Sequence, residues 1–187
     1  LMDGNPGIKV FDCRPLAEYR RMSIPGAINC PGGELVERLA GLTRSPDTPI
    51  VVNCAGRTRS IIGTQTLINA GFPNRVMALR NGTMGWELAG YRVDHGETRQ
   101  VPAPDPEDAH AARTLAVAWR NRERLRAVSW DDVCQMRADP NVTTYLFDVR
   151  DPEEQAAGSL PGAVAAPAGQ LVQTTDIYAA TLGARLV

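Results

Sequence analysis

The sequence is short of the groups that most often activate a thiol or hold a metal. It has two histidines, His95 and His110, and neither lies near any of its four cysteines, at 13, 30, 54 and 134. No two cysteines form a CxxC pair, which argues against a zinc site. Charge of one sign is missing too: 20 basic residues face 21 acidic ones, for a net charge of −1. That balance gives no global pull toward nucleic acid or a membrane surface. No apolar run approaches the roughly 20 residues that cross a bilayer, and no export signal is visible. With each cysteine inside or beside a strand-like or helical run, the expectation is free thiols in a reducing, cytoplasmic setting. The first residue is Leu1 rather than Met, as in a trimmed piece of a longer chain.

What is present is a repeat. Residues 11–35 align without gaps on residues 147–171, at an offset of 136, with 11 of 25 positions identical. The shared residues include Asp12 and Asp148, Arg14 and Arg150, Glu18 and Glu154, and the Pro-Gly-Ala runs at 25–27 and 161–163. Two copies of one unit are therefore expected. The first, 1–100, lacks a lead-in strand and helix. Residues 101–126 are a Pro-rich linker and helix. The second copy, 127–187, stops before the position, 190, that would match Cys54. Because Asp12, Arg14 and Glu18 recur in a copy without that cysteine, ion pairing and capping are the expected roles for them.

The order of elements in the first copy alternates. A buried strand at 8–12 precedes a helix at 15–22 with Pro15 in its first turn. A short extended piece ends at Asn29, and helical periodicity runs over 34–42. The β-branched run 49–54 reads as a buried strand. A helix over 58–70 stopped by Gly71 follows, then a strand at 75–79 and a helix at 84–89. Such alternation implies an α/β fold with a parallel sheet covered on both faces. The Ala- and Arg-rich stretch 107–126 reads as a helix with a solvated basic face. Val128 to Val133 reads as a strand end, a cap and a helix start.

The chemistry concentrates where the strand ends at Cys54. In Cys54-Ala55-Gly56-Arg57-Thr58-Arg59-Ser60 a thiol stands at the carboxyl edge of a parallel sheet, where α/β folds bind ligands. Backbone amides of 55–60, curling into a helix N-terminus, form a nest for anions. Gly56 supplies freedom for the curl, and Arg57 and Arg59 add permanent positive charge. All of these favour thiolate, and such cysteines fall to pKa values of roughly 3.5–7.5. Activation by field and hydrogen bonds is simpler here than a Cys–His pair. Cys13 and Cys30 read as small core residues, with a second reactive thiol as the sharper alternative.

The segments Phe11-Asp12-Cys13-Arg14, Ser23-Ile24-Pro25-Gly26-Ala27, the Cys54 loop, Ala70-Gly71-Phe72 and Asn81 to Gly90 with Trp86 together resemble the rhodanese family. The resemblance covers about residues 8–95, and part of 127–187. It implies a rhodanese-like sheet flanked by helices, one near-complete domain and a truncated second copy. It also implies an enzyme of the thiosulfate sulfurtransferase type. Cys54 would take sulfur from a small anionic donor such as thiosulfate, becoming a persulfide, and pass it to cyanide or to a protein or small thiol. The backbone amides of Ala55, Gly56, Arg57, Thr58, Arg59 and Ser60 would cradle that sulfur, the side chains of Arg57 and Arg59 would bind the donor, and no metal or organic cofactor is required. Ser23 and Ser159 stand where the family commonly has His. The missing first strand and helix would be filled by the lead-in of the second copy or by a neighbouring chain, a homodimer in that case.

Two other readings use the same residues. A rhodanese fold can serve as a non-catalytic binding module, since fold does not fix function. A cysteine-dependent phosphatase or arsenate reductase has five residues between Cys and Arg, and here only four separate Cys54 from Arg59. The shorter ring suits a sulfur better than a tetrahedral phosphate.

Overall fold

The computed structural model describes residues 7–150 and 152–187. Residues 1–6, which open the expected first copy, and Asp151 lie outside them. The chain divides into two compact units that meet at Glu123 and Arg124.

The first unit carries a four-stranded parallel sheet in the order β2-β1-β3-β4. Its strands are β1 (Lys9–Asp12), β2 (Ile28–Asn29), β3 (Ile50–Asn53) and β4 (Val76–Ala78). In β1 and β3 successive side chains enter opposite cores, as the two-residue period of a strand dictates. Phe11, Cys13, Ile50, Val52 and Cys54 fall on one face, with Leu35, Leu39, Leu67 and Phe72. Val10 and Val51 fall on the other, with Tyr19, Ile24 and Ala27. Both faces are covered, which is why β3 reads as a continuous apolar run.

The helices are α1 (Leu16–Arg21), α2 (Leu35–Leu39), α3 (Thr58–Ala70) and α4 (Gly82–Leu88). α3 has the expected bounds, and Gly71 ends it in the left-handed region at φ 92°. Two elements differ from expectation. The helical run after residue 34 tightens after Leu39 into a 3-10 turn, Ala40–Arg44. α4 starts at Gly82, two residues before the expected Met84, because Asn81 and Gly82 both take positive φ, 60° and 58°, and turn the chain early.

Helix α5 (Pro106–Arg122) starts from Asp105, whose side chain accepts from the Asp108 amide at 2.8 Å. It packs against α2 and the 3-10 turn, Leu115 and Trp119 reach the first core, and Arg44 meets Asp108 at 2.5 Å. The basic helix therefore has one face covered within the first unit, besides the solvated face that the sequence leads one to expect. Its periodicity is weak because Ala112 is its one buried residue.

In the second unit Ala127 and Val128 join no ladder, contrary to the expected strand end. The cap itself forms: Ser129 and Asp132 exchange both bonds of a capping box ahead of α6 (Trp130–Ala138). Four two-residue strands follow, β5 (Thr144–Tyr145), β6 (Phe147–Asp148), β7 (Val164–Ala165) and β8 (Arg185–Leu186). Helices α7 (Pro152–Ala157), α8 (Ala168–Gln173) and α9 (Thr175–Tyr178) lie between them. The register repeats that of the first unit. Phe147 opposite Val164 matches Phe11 opposite Ile28, and Tyr145 opposite Leu186 matches Lys9 opposite Ile50.

The repeated charges form the same local object twice. Arg14 closes on Asp12 through Nε (2.8 Å) and Nη2 (2.6 Å) and donates to the Met22 carbonyl at 2.7 Å. Arg150 closes on Asp148 at 2.9 and 2.6 Å and donates to the Gly158 carbonyl at 2.6 Å. In the first unit Asn29 donates to the carbonyls of Asp12 and Arg14, at 3.0 and 2.7 Å. Position 165 is Ala, and Gln155 serves instead, reaching the carbonyls of Asp148 and Arg150 at 3.1 and 2.8 Å.

Candidate active site

Cys54 follows the last residue of β3, and α3 begins four residues later. The thiol lies at the carboxyl edge of the sheet and is 2% exposed. Its sulfur meets the Ser60 hydroxyl at 3.5 Å, and the amides of Gly56 and Ser60 point at it. The Cys13 thiol follows next in register on the neighbouring strand and is buried in the same core. These donors, the Cys13 thiol first, outweigh burial and bring the Cys54 pKa down to about 5. The thiol is thus enclosed by the core on one side and by amides of its own loop on the other.

The residues that sequence reading singles out separate into distinct roles. Ser60 is fully buried and also donates to the Arg57 carbonyl at 2.9 Å, tying the loop to the first turn of α3. Thr58, the first residue of α3, is exposed, and Ala55 and Gly56 are half-buried. Gly56 departs from expectation: its φ is not positive, and a Cβ there would meet nothing within 4 Å. The freedom of glycine is needed elsewhere, at Gly82. Its φ is +58°, and a Cβ would stand 2.3 Å from the Cys54 carbonyl oxygen and 2.8 Å from the Ala55 carbonyl carbon.

The two arginines also differ. Arg57 is exposed and makes no ion pair among the described residues. Arg59 places its guanidinium fork on both carboxylate oxygens of Glu18, at 2.7 and 2.8 Å. This contact lowers the Glu18 pKa and raises that of Arg59. Glu18 is therefore an ion-pair residue, as expected, but its partner is the loop that carries Cys54.

A polar network beneath the loop escaped the sequence reading. Asn53 donates to Asp12 at 3.0 Å and to the Thr83 hydroxyl at 2.9 Å. The Thr83 amide and hydroxyl donate to the Cys54 carbonyl at 2.9 and 3.3 Å, and the Met84 amide donates to the Ala55 carbonyl at 2.9 Å. The first turn of α4 thus holds the backbone of the loop from below. The Asn81-Gly82 dipeptide, a turn signal in any sequence, is the one local clue to it. His95 bonds the Arg21 carbonyl at 2.6 Å and is not among the groups around Cys54. All four cysteines are unpaired; Cys13 and Cys30 are buried and Cys134 is exposed.

Comparison with known proteins agrees with this geometry. A family model described as the rhodanese-like domain matches residues 1–89. A solved thiosulfate sulfurtransferase from Pseudomonas aeruginosa is 50% identical, with a TM-score of 0.88, over 96% of this chain and 34% of that one. An HTH-type transcriptional regulator of Mycobacterium tuberculosis, Rv0324, is 39% identical over 89 residues, 48% of this chain and 38% of that protein. The chain thus spans about a third of the length of each of these relatives. With the Cys54 loop, the parallel sheet and these matches together, the first unit carries a rhodanese-like domain.

Proposed function

We propose that the protein is a sulfurtransferase that carries sulfane sulfur on Cys54. The observation that carries this reading is the Cys54 sulfur itself. It faces the amides of Gly56 and Ser60 and the Ser60 hydroxyl, and its pKa lies near 5, so it is a thiolate at neutral pH. The likeness to a solved thiosulfate sulfurtransferase supports the same reading.

In the first step the Cys54 thiolate attacks the outer sulfur of thiosulfate. A new S–S bond forms, the bond to the sulfonate sulfur breaks, and sulfite leaves with the electron pair. The negative charge of the resulting persulfide rests on its outer sulfur, where the loop amides stabilise it by preorganised hydrogen bonds. In the second step cyanide, or a thiolate, attacks that outer sulfur, and Cys54 departs again as thiolate. No proton has to be moved in either step, which fits a site with no histidine at hydrogen-bonding distance. Arg57, exposed beside the loop, attracts the anionic donor, while Arg59 is held by Glu18 and fixes the loop.

The second unit, with its repeated register and Asp148–Arg150 pair, is read as a further copy of the same fold. Incubation with thiosulfate and cyanide tests the function. Thiocyanate formation that disappears in Cys54→Ser, with a mass gain of one sulfur on Cys54 when cyanide is left out, is the expected result. Thiocyanate formation that survives Cys54→Ser would overturn it, and neither turnover nor sulfur uptake by the wild type would favour a binding module.

A further inference from the structure

β1 and β3 run parallel with Asp12 opposite Asn53, and the ladder continues one step beyond, where the Cys13 amide donates to the Asn53 carbonyl at 2.8 Å. The next two residues in that register are Cys13 and Cys54. Neighbouring strands lie about 4.8 Å apart, and the two-residue period sends both side chains to the same face. Both thiols are in the same core, 4% and 2% exposed. Water is therefore not available as a partner for either.

The hydrogen-bond supply around the pair is uneven. Cys54 faces two amides and the Ser60 hydroxyl. That hydroxyl has a single proton and already gives it to the Arg57 carbonyl at 2.9 Å, so its hold on the sulfur, at 3.5 Å, is shared. The Cys13 thiol makes no hydrogen bond to a carbonyl or to any oxygen-bearing side chain among the described residues, and the carboxylate of Asp12 stands next to it in the chain. The Cys54 sulfur, opposite it in register on the same face of the sheet, is the acceptor that this geometry offers a buried S–H. Cys30 is the contrasting case. It is buried in the same core with no such partner, and burial pushes it up to about 12.

Resting on the reading of Cys54 as the nucleophile, we infer that Cys13 is a positioning residue: it stays a thiol and donates its S–H to the Cys54 sulfur, holding the nucleophile as thiolate from the adjacent strand. The directions of the two thiols agree with this geometry. Cys13 is pushed upward, first by its hydrogen bond to Cys54 and then by burial, while Cys54 is drawn down. The pair shares one proton, and the loop amides decide which sulfur goes without it. When Cys54 becomes a persulfide, charge moves to the outer sulfur and Cys13 loses its charged acceptor. Its contribution therefore favours the thiolate that attacks and later leaves.

The test is the pH dependence of alkylation of the Cys54 peptide by iodoacetamide, followed by mass spectrometry in the full chain. Removing one hydrogen bond to a charged group, in Cys13→Val, is expected to move the midpoint upward by about 1 to 2 pH units. Cys13→Ser, which keeps a donor, is expected to restore most of the shift. A Cys13→Val midpoint equal to that of the wild type, or a Ser variant no better than Val, would overturn the inference. The reciprocal measurement covers the case of a Val variant that does not fold. In Cys54→Ser, Cys13 no longer faces a charged sulfur and should alkylate at lower pH than in the wild type; an unchanged profile would equally count against the pair. None of these readouts involves sulfur transfer, so failure of the proposed activity would be seen separately.

Discussion

Arg59 grips Glu18 through both carboxylate oxygens, across 41 residues of sequence, and so ties the reactive loop to α1. Exposed ion pairs contribute about 0–1 kcal/mol, and this one is half-exposed, though its bidentate geometry places it at the stronger end. Its role is to fix the loop. Arg57→Ala is therefore expected to raise the KM for thiosulfate several-fold with little change in kcat, whereas Arg59→Ala should depress both half-reactions. Steady-state kinetics with thiosulfate and cyanide varied separately decides this. An Arg59→Ala loss confined to the donor would return donor binding to Arg59.

The Cys54 pKa near 5 sets the pH behaviour of the site. The folded value is depressed, so the reactive thiolate is present above it and is lost as pH falls through about 5. Alkylation of Cys54 should rise with a midpoint near pH 5 and level off about one unit higher. Free cysteine in solution serves as the reference, since an ordinary thiol gains reactivity only toward pH 8.5 or so. A Cys54 profile that tracks free cysteine would remove the basis for the nucleophile.

How much of this was readable in the residues depends on sequence distance. The run from Ile50 to Asn53, the cysteine after it and the helix from Thr58 to Ala70 are contiguous, and their hydrophobic period and flanking residues carry the strand–loop–helix without tertiary information. The crossover that places β1 beside β3 is not local. Without it neither Cys13 nor Glu18 can be assigned to Cys54 or Arg59, since each pair is 41 residues apart. Gly56 illustrates the opposite error. A glycine in a tight loop suggests special φ, but the loop runs through ordinary backbone there, and the strain sits at Asn81 and Gly82. The repeat was legible because it is written as identities. The exchange of Asn29 for Gln155 was not, because the same carbonyls are reached from a different element.

Gly82 offers a sharp test of how α4 supports the loop. An alanine there must move away from the Cys54 carbonyl, 2.3 Å from its Cβ, at a φ of +58° that disfavours any side chain. Strain of this kind costs about 1–3 kcal/mol, and the carbonyls it displaces are those that the Thr83 and Met84 amides hold. Gly82→Ala should lower thermal stability and reduce sulfur transfer at least tenfold. Gly71→Ala, at φ +92° with open space around its Cβ, is the control. It should lose stability with little change in the alkylation rate of Cys54. Equal activity losses at both positions would mean that the contact of α4 with the loop has no special effect.

The two versions of the carboxylate–arginine object make a comparison possible inside one chain. In the first unit Asn29 is 1% exposed, and among the described residues no other side chain donates to the Arg14 carbonyl, while the Asp12 carbonyl also accepts from the Cys30 amide. Asn29→Ala leaves the Arg14 carbonyl without that donor in a dry site, at a cost of about 1–3 kcal/mol. In the second unit Gln155 is only half-buried, and water can replace its amide at the Arg150 carbonyl. Gln155→Ala should accordingly cost less, under about 1 kcal/mol. Urea titrations of the two variants read the difference. A Gln155→Ala loss as large as that of Asn29→Ala would mean that the second unit depends on this one side chain more than its exposure allows.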